Sequence, residues 1–435
     1  MKILVISRTA WRKDNSFGNT YSNIFDGMAD VKIANLYFGD GLPDGSAQNV
    51  IDYYRVSEKD IVKKILKKDN DNNGAGERVH SEVFPTISEG KHTKGIYENI
   101  IRIIKKNRCS LFYIVRELIW RFSSIDYSGI LRFIDEFKPD IIFASFYYAI
   151  YTNRMIIFIK ENRDIPLVLE AAVDIYTLKQ FSVDPFYWGN RLWVRAAVKK
   201  TAALADRLYV ISKNMKNDYK KELGVPTEVL YKFPDINRER YLYKADTEKE
   251  IVFLFTGNIS SNRWKSLSTV GKIVAESGIG KLYIYTKTIL THRMRRALSY
   301  CELKEPISAE EVINKQNAAD VLVHVESFDI KNKLEVRYSI STKIMDYISV
   351  GRCILAYGPA GIASMDFLKE EEVALVCNTK RELELTINRF RNNTDLISRC
   401  ALKNHNYINE LPQKSVLQNY LLNDLKRVIS KSEYR

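Results

Sequence analysis

Cysteine is scarce in this 435-residue chain, and what there is forms no pattern. Cys109, Cys301, Cys353, Cys377 and Cys400 are odd in number, widely spaced and without a CxxC pair, which signals neither a disulfide framework nor a zinc site. A reducing cytoplasm is the expected compartment. Histidine is equally sparse: His324 lies inside an apolar run, where a satisfied core histidine is expected, and His80, His92, His292 and His405 show no HxxxH or HxxE spacing. No structural or catalytic metal is expected. Long hydrophobic runs are missing too, since no uncharged apolar stretch approaches the roughly 20 residues of a membrane span. The opening MKILVISRTAWRKDN carries only a five-residue apolar run, which predicts no secretory leader. Acid is outnumbered, 53 Asp and Glu against 67 Lys and Arg, and the net charge of +14 favours an anionic partner. Nucleic acid is not the expected one: the basic residues are spread along the chain, with no RNP-like aromatic motif, zinc finger or helix-turn-helix signature.

What is present is a rhythm of short apolar runs separated by helix-length segments, the βαβ pattern of parallel sheets. In the first half the runs are residues 2–7 (KILVIS), 31–38 (VKIANLYF), 140–145 (DIIFAS), 166–170 (PLVLE), 207–212 (RLYVIS) and 228–231. After DTEKE at 246–250 the pattern begins again with 251–256 (IVFLFT), 281–286 (KLYIYT), 320–325 (DVLVHV), 352–357 (RCILAY) and 373–377. The fold class is therefore α/β, with two Rossmann-like doubly wound domains facing each other across a cleft. The expected divisions are an N-terminal domain over 1–235, a linker near 233–249, a C-terminal domain over 250–405 and a terminal helix over 406–435 that packs back on the first domain. Residues 67–77 (KKDNDNNGAGE) read as a surface loop.

Doubly wound sheets bind ligands beyond the carboxyl ends of their strands, so the residues after each run are searched for chemistry. The segment SRTAWRKDNSFGNTY at 7–21 places Gly18 and Asn19 in a polar loop on the cleft, ahead of a helix. In TGNISSNRWKSL at 256–267, Gly257 and Asn258 form a bend, and Arg263 with Lys265 supply cationic donors to a diphosphate. In YSISTKIMDYISVGRCILAYGP at 338–359, Ser341 and Thr342 open a helix that Gly351 stops. That helix start, with Lys343 beside it, suits a phosphate, and Asp346 one turn on can accept ribose hydroxyls. Asp174, just past a strand end in LEAAVDIY, serves as a base, orients an acceptor or caps a helix.

The run STKIMDYISVGRCILAYGP resembles the donor-binding segment of GT-B glycosyltransferases, particularly the retaining group numbered family four, and TGNI with Arg263 and Lys265 is similar to that family's phosphate-binding loop. The likeness covers roughly 250–380. Glu326 stands at the family's upstream acidic position, although the family spaces two glutamates eight apart whereas Glu326 and Asp346 are twenty apart. Glu335 is a second candidate. The resemblance implies a hexosyltransferase-like enzyme that takes a sugar from a nucleotide diphosphate sugar, with retention and without metal or other cofactor. It further implies a saccharide or lipid-linked saccharide acceptor and a place in cell-surface polysaccharide or glycoconjugate synthesis. A noncatalytic nucleotide-sugar-binding protein and a sugar-nucleotide epimerase are the alternatives on this fold. Residues 96–122 and 181–200 mix apolar, aromatic and basic side chains. Either they lie on an anionic membrane surface, making the protein peripheral on its inner face, or their aromatic faces fill the N-terminal core while their charges are solvated.

Overall fold

The computed structural model describes residues 1–65, 74–80, 110–233, 243, 249–393 and 395–432. Outside these fall residues 67–73 of the expected surface loop, 96–109 of the apolar and basic segment with Cys109, His92, and the linker positions 234–248 other than Tyr243. The chain forms two compact units, Met1–Lys232 with Ser415–Arg435, and Phe233–Lys414.

In the first unit the apolar runs become strands buried on both faces, as parallel sheets require. They are β1 (Lys2–Ser7), β2 (Lys32–Tyr37), β3 (Val50–Arg55), β4 (Glu77–Arg78), β5 (Ile141–Ser145), β6 (Leu167–Ala171), β7 (Arg207–Val210) and β8 (Thr227–Val229). The sheet order is β4-β3-β2-β1-β5-β6-β7-β8, parallel except for the short β3–β4 pair. The winding reverses between β1 and β5, so carboxyl ends of central strands open there. Residues 74–77, expected in a loop, instead bridge Ala75 to Ile125 and begin β4.

Helices α1 (Ser16–Phe25), α2 (Glu58–Ile65), α3 (Ser110–Arg121), α4 (Tyr127–Phe137), α5 (Ile150–Asn162), α6 (Pro185–Ala202) and α7 (Lys213–Leu223) connect the strands. Helix α5 follows Ala149, which has no side chain able to cap it. Glu117 of α3 does so instead, accepting the backbone N–H groups of Ile150 at 2.7 Å and Tyr151 at 2.9 Å. A carboxylate at that end satisfies orphan donors and the positive pole of the helix at once.

The second unit holds β9 (Ile251–Thr256), β10 (Gly280–Tyr285), β11 (Glu302–Lys304), β12 (Val321–Val325), β13 (Cys353–Tyr357) and β14 (Leu375–Cys377) in the parallel order β11-β10-β9-β12-β13-β14. Its helices are α8 (Arg263–Ser277), α9 (His292–Ala297), α10 (Ala309–Ala318), α11 (Ile330–Glu335), α12 (Thr342–Val350), α13 (Ala363–Glu370), α14 (Lys380–Asn392) and α15 (Asp395–Glu410). Phe253, Leu267, Val323, Leu355 and Phe390 meet in its core. Because α15 runs through position 406, the return to the first unit comes later than the expected division, at α16 (Lys414–Ser432). Gln418 of α16 donates to the carbonyls of Ile24 and Asp26, both at 2.9 Å, at the end of α1. Asp424 accepts from Arg207 at 2.7 Å and from the Tyr209 hydroxyl at 2.6 Å.

Candidate functional site

The richest cluster of charge and bare helix ends lies in the second unit, where β9 and β12 end beside α8 and α12. Thr256 closes β9, and the Tyr347 hydroxyl of α12 accepts its backbone N–H at 3.2 Å, which ties the helix to the strand end. Gly257 follows with φ of 122°, a region side chains rarely adopt. A β-carbon there would stand 1.9 Å from the Lys343 ammonium, so glycine supplies both the bend and the room for that lysine. Lys343 reaches across the first turn of α12, with its ammonium 4.9 Å from the centre of the Phe255 ring. Burial, and then the neighbouring Arg263 charge, pull its pKa down to about 8, against the opposing influence of Glu326 and Asp346.

Both helices that point at this place lack a side-chain cap. Ser341 precedes α12 and Asn262 precedes α8, and neither side chain bonds the helix it introduces. Asn262 is itself left-handed, as is Ser261, with φ of 60° and 55°. At α8 the turn before the helix takes up its first N–H groups, Arg263, Trp264 and Lys265 bonding the carbonyls of Ser260, Ile259 and Asn262, whereas at the nine-residue α12 the Ile344 N–H bonds the Ser341 carbonyl. The start of α12, with its positive pole beside Lys343 and Gly257, is the cradle suited to an anion.

Arg263, the first residue of α8, donates Nε to Glu326 Oε2 at 3.0 Å and Nη2 to Oε1 at 3.2 Å, a two-pronged ion pair with a carboxylate buried at the end of β12. Gly358 makes space for this glutamate, since a β-carbon there would lie 3.0 Å from the Glu326 Cβ. His324, two residues earlier, is buried and held neutral, its pKa lowered to about 3 by burial and then by Arg263 and Lys343. Its Nε2 has no hydrogen-bond partner among the described residues and lies 3.7 Å from Glu326 Oε1, so the histidine is not the satisfied core residue expected from sequence.

The structure does not bring together Arg263 and Lys265, the expected pair on one diphosphate. Two positions along a helix are about 200° apart, and Lys265 turns outward to bond Asp329 at 2.9 Å and 3.0 Å. Arg263 instead lies near enough to Lys343 for its charge to lower the lysine's pKa. Glu326 has both oxygens committed to Arg263, which argues against a direct contact from it to a sugar. Asn258 is exposed and spends its side-chain oxygen on the Ser260 N–H and the Thr288 hydroxyl. Asp346 is exposed one turn beyond Thr342, whose own side chain lies outside the described residues. Glu335 is exposed at the end of α11 and joins nothing in the cradle.

In the first unit the expected residues lie in helix and loop packing. Gly18 and Asn19 lie inside α1 rather than in a loop before it, because Asn15 caps the helix by accepting the Gly18 N–H at 2.7 Å. Gly18 is required by packing, since a β-carbon would fall 2.1 Å from the Arg12 carbonyl oxygen. Asp174 is no free base. Its carboxylate accepts from the Thr177 N–H at 2.9 Å, Gln180 at 3.0 Å and Tyr219 at 3.0 Å, bonds the Thr177 hydroxyl, and pairs with Arg191 at 3.2 Å. A carboxylate so committed holds its loop together.

Sequence reasoning missed a buried polar cluster at the carboxyl ends of β5 and β6. Glu170 accepts from the Tyr21 hydroxyl at 3.2 Å, and Tyr21 also bonds Ser145. Burial lifts the Glu170 pKa to about 7, opposed by the Tyr21 and Ser145 hydroxyls. A glutamate closing the apolar run PLVLE was the signal available.

Residues 108–238 match the family model described as Glycosyltransferase Family 4. All but the last few matched residues fall in the first unit, whereas the motifs legible by eye lie in the second. No curated protein matches the chain by sequence. Among solved structures the chain is similar to HepE from Anabaena in complex with UDP, at 14% identity over 98% of this chain and 100% of that one, with a TM-score of 0.58. It is similar to sucrose-phosphate synthase from Thermosynechococcus elongatus at 12% identity over 99% and 100% of the two chains, TM-score 0.58. A third likeness is to the E. coli protein described as trehalose-6-phosphate bound with UDP-2-fluoro glucose, at 10% identity over 98% and 99%, TM-score 0.58. At such identities the likeness is one of fold, and that fold is GT-B.

Proposed function

We propose that this chain is a glycosyltransferase that takes a hexose from a nucleoside diphosphate sugar held in the second unit and passes it to a saccharide or lipid-linked saccharide. The observation that carries the reading is the convergence of Lys343, Arg263 and the start of α12, which has no side-chain cap, on the space beside Gly257. A departing diphosphate accumulates negative charge, and fixed donors around it lower the barrier most. The family match of residues 108–238 supports the same class. UDP is the nucleotide to test first, since HepE is described in complex with it.

Transfer proceeds with retention in this reading. The bond from the anomeric carbon to the diphosphate oxygen breaks while the acceptor oxygen bonds the same face, and the acceptor proton passes to the departing phosphate. With Asp174 committed to its own loop, the leaving group is the fitting base. Arg263, Lys343 and the helix poles supply the positive charge that a divalent ion supplies elsewhere, so EDTA should leave activity nearly intact. Activity abolished by EDTA and restored by manganese would overturn metal independence. The working side is the cytoplasm, with the product destined for a surface polysaccharide or glycoconjugate.

Asp346 tests the nucleotide end of the site. Exchange of Asp346→Asn replaces one acceptor oxygen with a donor and should weaken UDP binding by about 1 to 2 kcal/mol, with the melting temperature little changed. Calorimetry against free UDP measures this before the sugar or acceptor is known. Equal affinity in the folded variant would remove Asp346 from the ribose. Transfer of labelled sugar to an acceptor, and not UDP binding alone, separates an enzyme from a binding protein.

A further inference from the structure

Helix α3 of the first unit is built inside out, and its neighbour α6 carries exposed apolar residues toward its start. An amphipathic helix ordinarily buries its apolar stripe and shows its charges to water. In α3 the charged Arg116 and Glu117 are buried, Arg116 against Glu58 and Glu117 on the start of α5. Its apolar residues Leu111, Val115 and Leu118, with Phe122 just beyond, recur at helical spacing on the opposite side and are exposed, Phe122 by 76%. Helix α6 buries Val194, Ala197 and Val198 in the ordinary way, but near its start Asn190 and Arg191 are buried while Phe186 and Leu192 are exposed. The two helices pack together, and Asp184, which caps α6, also accepts a hydrogen bond from Ser110 at the start of α3. The loop entering α6 adds Phe181 and Val183, the latter 91% exposed. Of the aromatic residues, Trp120 of α3 lies inside, stacked on Tyr151, whereas Phe122, Phe181 and Phe186 are exposed.

The charges choose the occupant. Among residues 110–122 and 172–200 the acids are Glu117, Asp174 and Asp184. The first caps α5, the second is enclosed in its loop and the third is held by α3 and α6. The exposed ions of these segments are Arg121, Lys179, Lys199 and Lys200, of which Lys179 pairs with Asp218 at 3.5 Å. A second copy of the chain would bring these cations against their own kind, whereas an anionic lipid surface neutralises them and receives the apolar side chains.

We propose that the α3–α6 face docks on an anionic bilayer, with Phe122 and Val183 entering the headgroup boundary and the cations resting on the phosphates. This docking is independent of the donor cradle, which lies in the other unit.

The test is co-sedimentation of the full chain with vesicles of phosphatidylcholine and phosphatidylglycerol in equal parts, beside vesicles of phosphatidylcholine alone. The wild type should partition onto the mixed vesicles about tenfold or more better than onto the neutral ones. Phe122→Asp with Val183→Asp should reduce that binding at least about tenfold, and Lys199→Glu with Lys200→Glu should do so without touching an apolar side chain. Wild type remaining in the supernatant, or variants sedimenting as it does, would overturn the proposal. So would a concentration-dependent dimer, seen by sedimentation velocity, that Phe122→Asp abolishes. A chain that binds the vesicles but not UDP would defeat the donor reading and leave this one standing.

Discussion

Replacing Lys343 by Met should lower UDP affinity by about 10- to 150-fold at pH 7, the worth of roughly 1.5 to 3 kcal/mol for a charge-assisted contact in a partly desolvated place. The pH dependence makes the expectation specific. Lys343 titrates near 8 in the free protein because it is buried beside Arg263. UDP affinity of the wild type should therefore hold below that pH and fall above it, whereas the Lys343→Met variant should be flat. Stability should move the other way. A lysine whose folded pKa is depressed binds fewer protons in the folded than in the unfolded state between about 8 and the ordinary lysine value, so wild-type stability gains from this group as pH rises through that window. The variant should lack that gain. Calorimetry and thermal melts from pH 7 to about 9.5 read both trends. Parallel pH profiles of the two proteins would show that Lys343 does not hold the anion.

The second large effect belongs to Gly257→Ala. At φ of 122° an alanine costs about 1 to 3 kcal/mol of backbone strain, which a melt will register. Its methyl would also claim the position of the lysine ammonium, only 1.9 Å from the ideal β-carbon. A flexible side chain can yield, so the protein should still fold, but Lys343 would be driven off the cradle. UDP binding should fall about as far as in Lys343→Met, and the double variant should bind like either single one, since both changes remove the same contact. An additive loss would separate the glycine from the lysine, and unchanged binding in folded Gly257→Ala would dismiss the cradle.

Most of the sheet architecture was legible because buried parallel strands are unbroken apolar runs. KILVIS and IVFLFT became β1 and β9 residue for residue, and the other expected runs were trimmed or shifted by one or two positions. Strand β3 was missed since its exposure varies along VIDYYR, where Asp52 and Arg55 interrupt the apolar residues. Strand β11, three residues of ELK at an edge, has no apolar signature. Helix α12 was legible from its ends, with Ser341 before it and Gly351 left-handed after it. The roles of individual polar residues were harder, because sequence shows a carboxylate but not how many donors surround it. Asp174 looked available and is fully committed. Lys265 looked like the partner of Arg263 and points elsewhere, a matter of helical phase that became clear only once α8 was seen to start at Arg263 itself. His324 was read from its neighbours as satisfied, whereas its free Nε2 could emerge only from three-dimensional packing.

The return of α16 to the first unit sets the order in which a nascent chain can be completed. The second unit is one uninterrupted stretch, Phe233–Lys414, so everything it needs has been synthesised before α16 appears. The first unit begins earlier yet finishes later, because the carbonyls of Ile24 and Asp26 and the side chains of Arg207 and Tyr209 wait for Gln418 and Asp424. A released chain cut after Lys414 would thus hold all of the second unit yet lack what Gln418 and Asp424 contribute to the first, so the cut would injure the half of the protein that was made first.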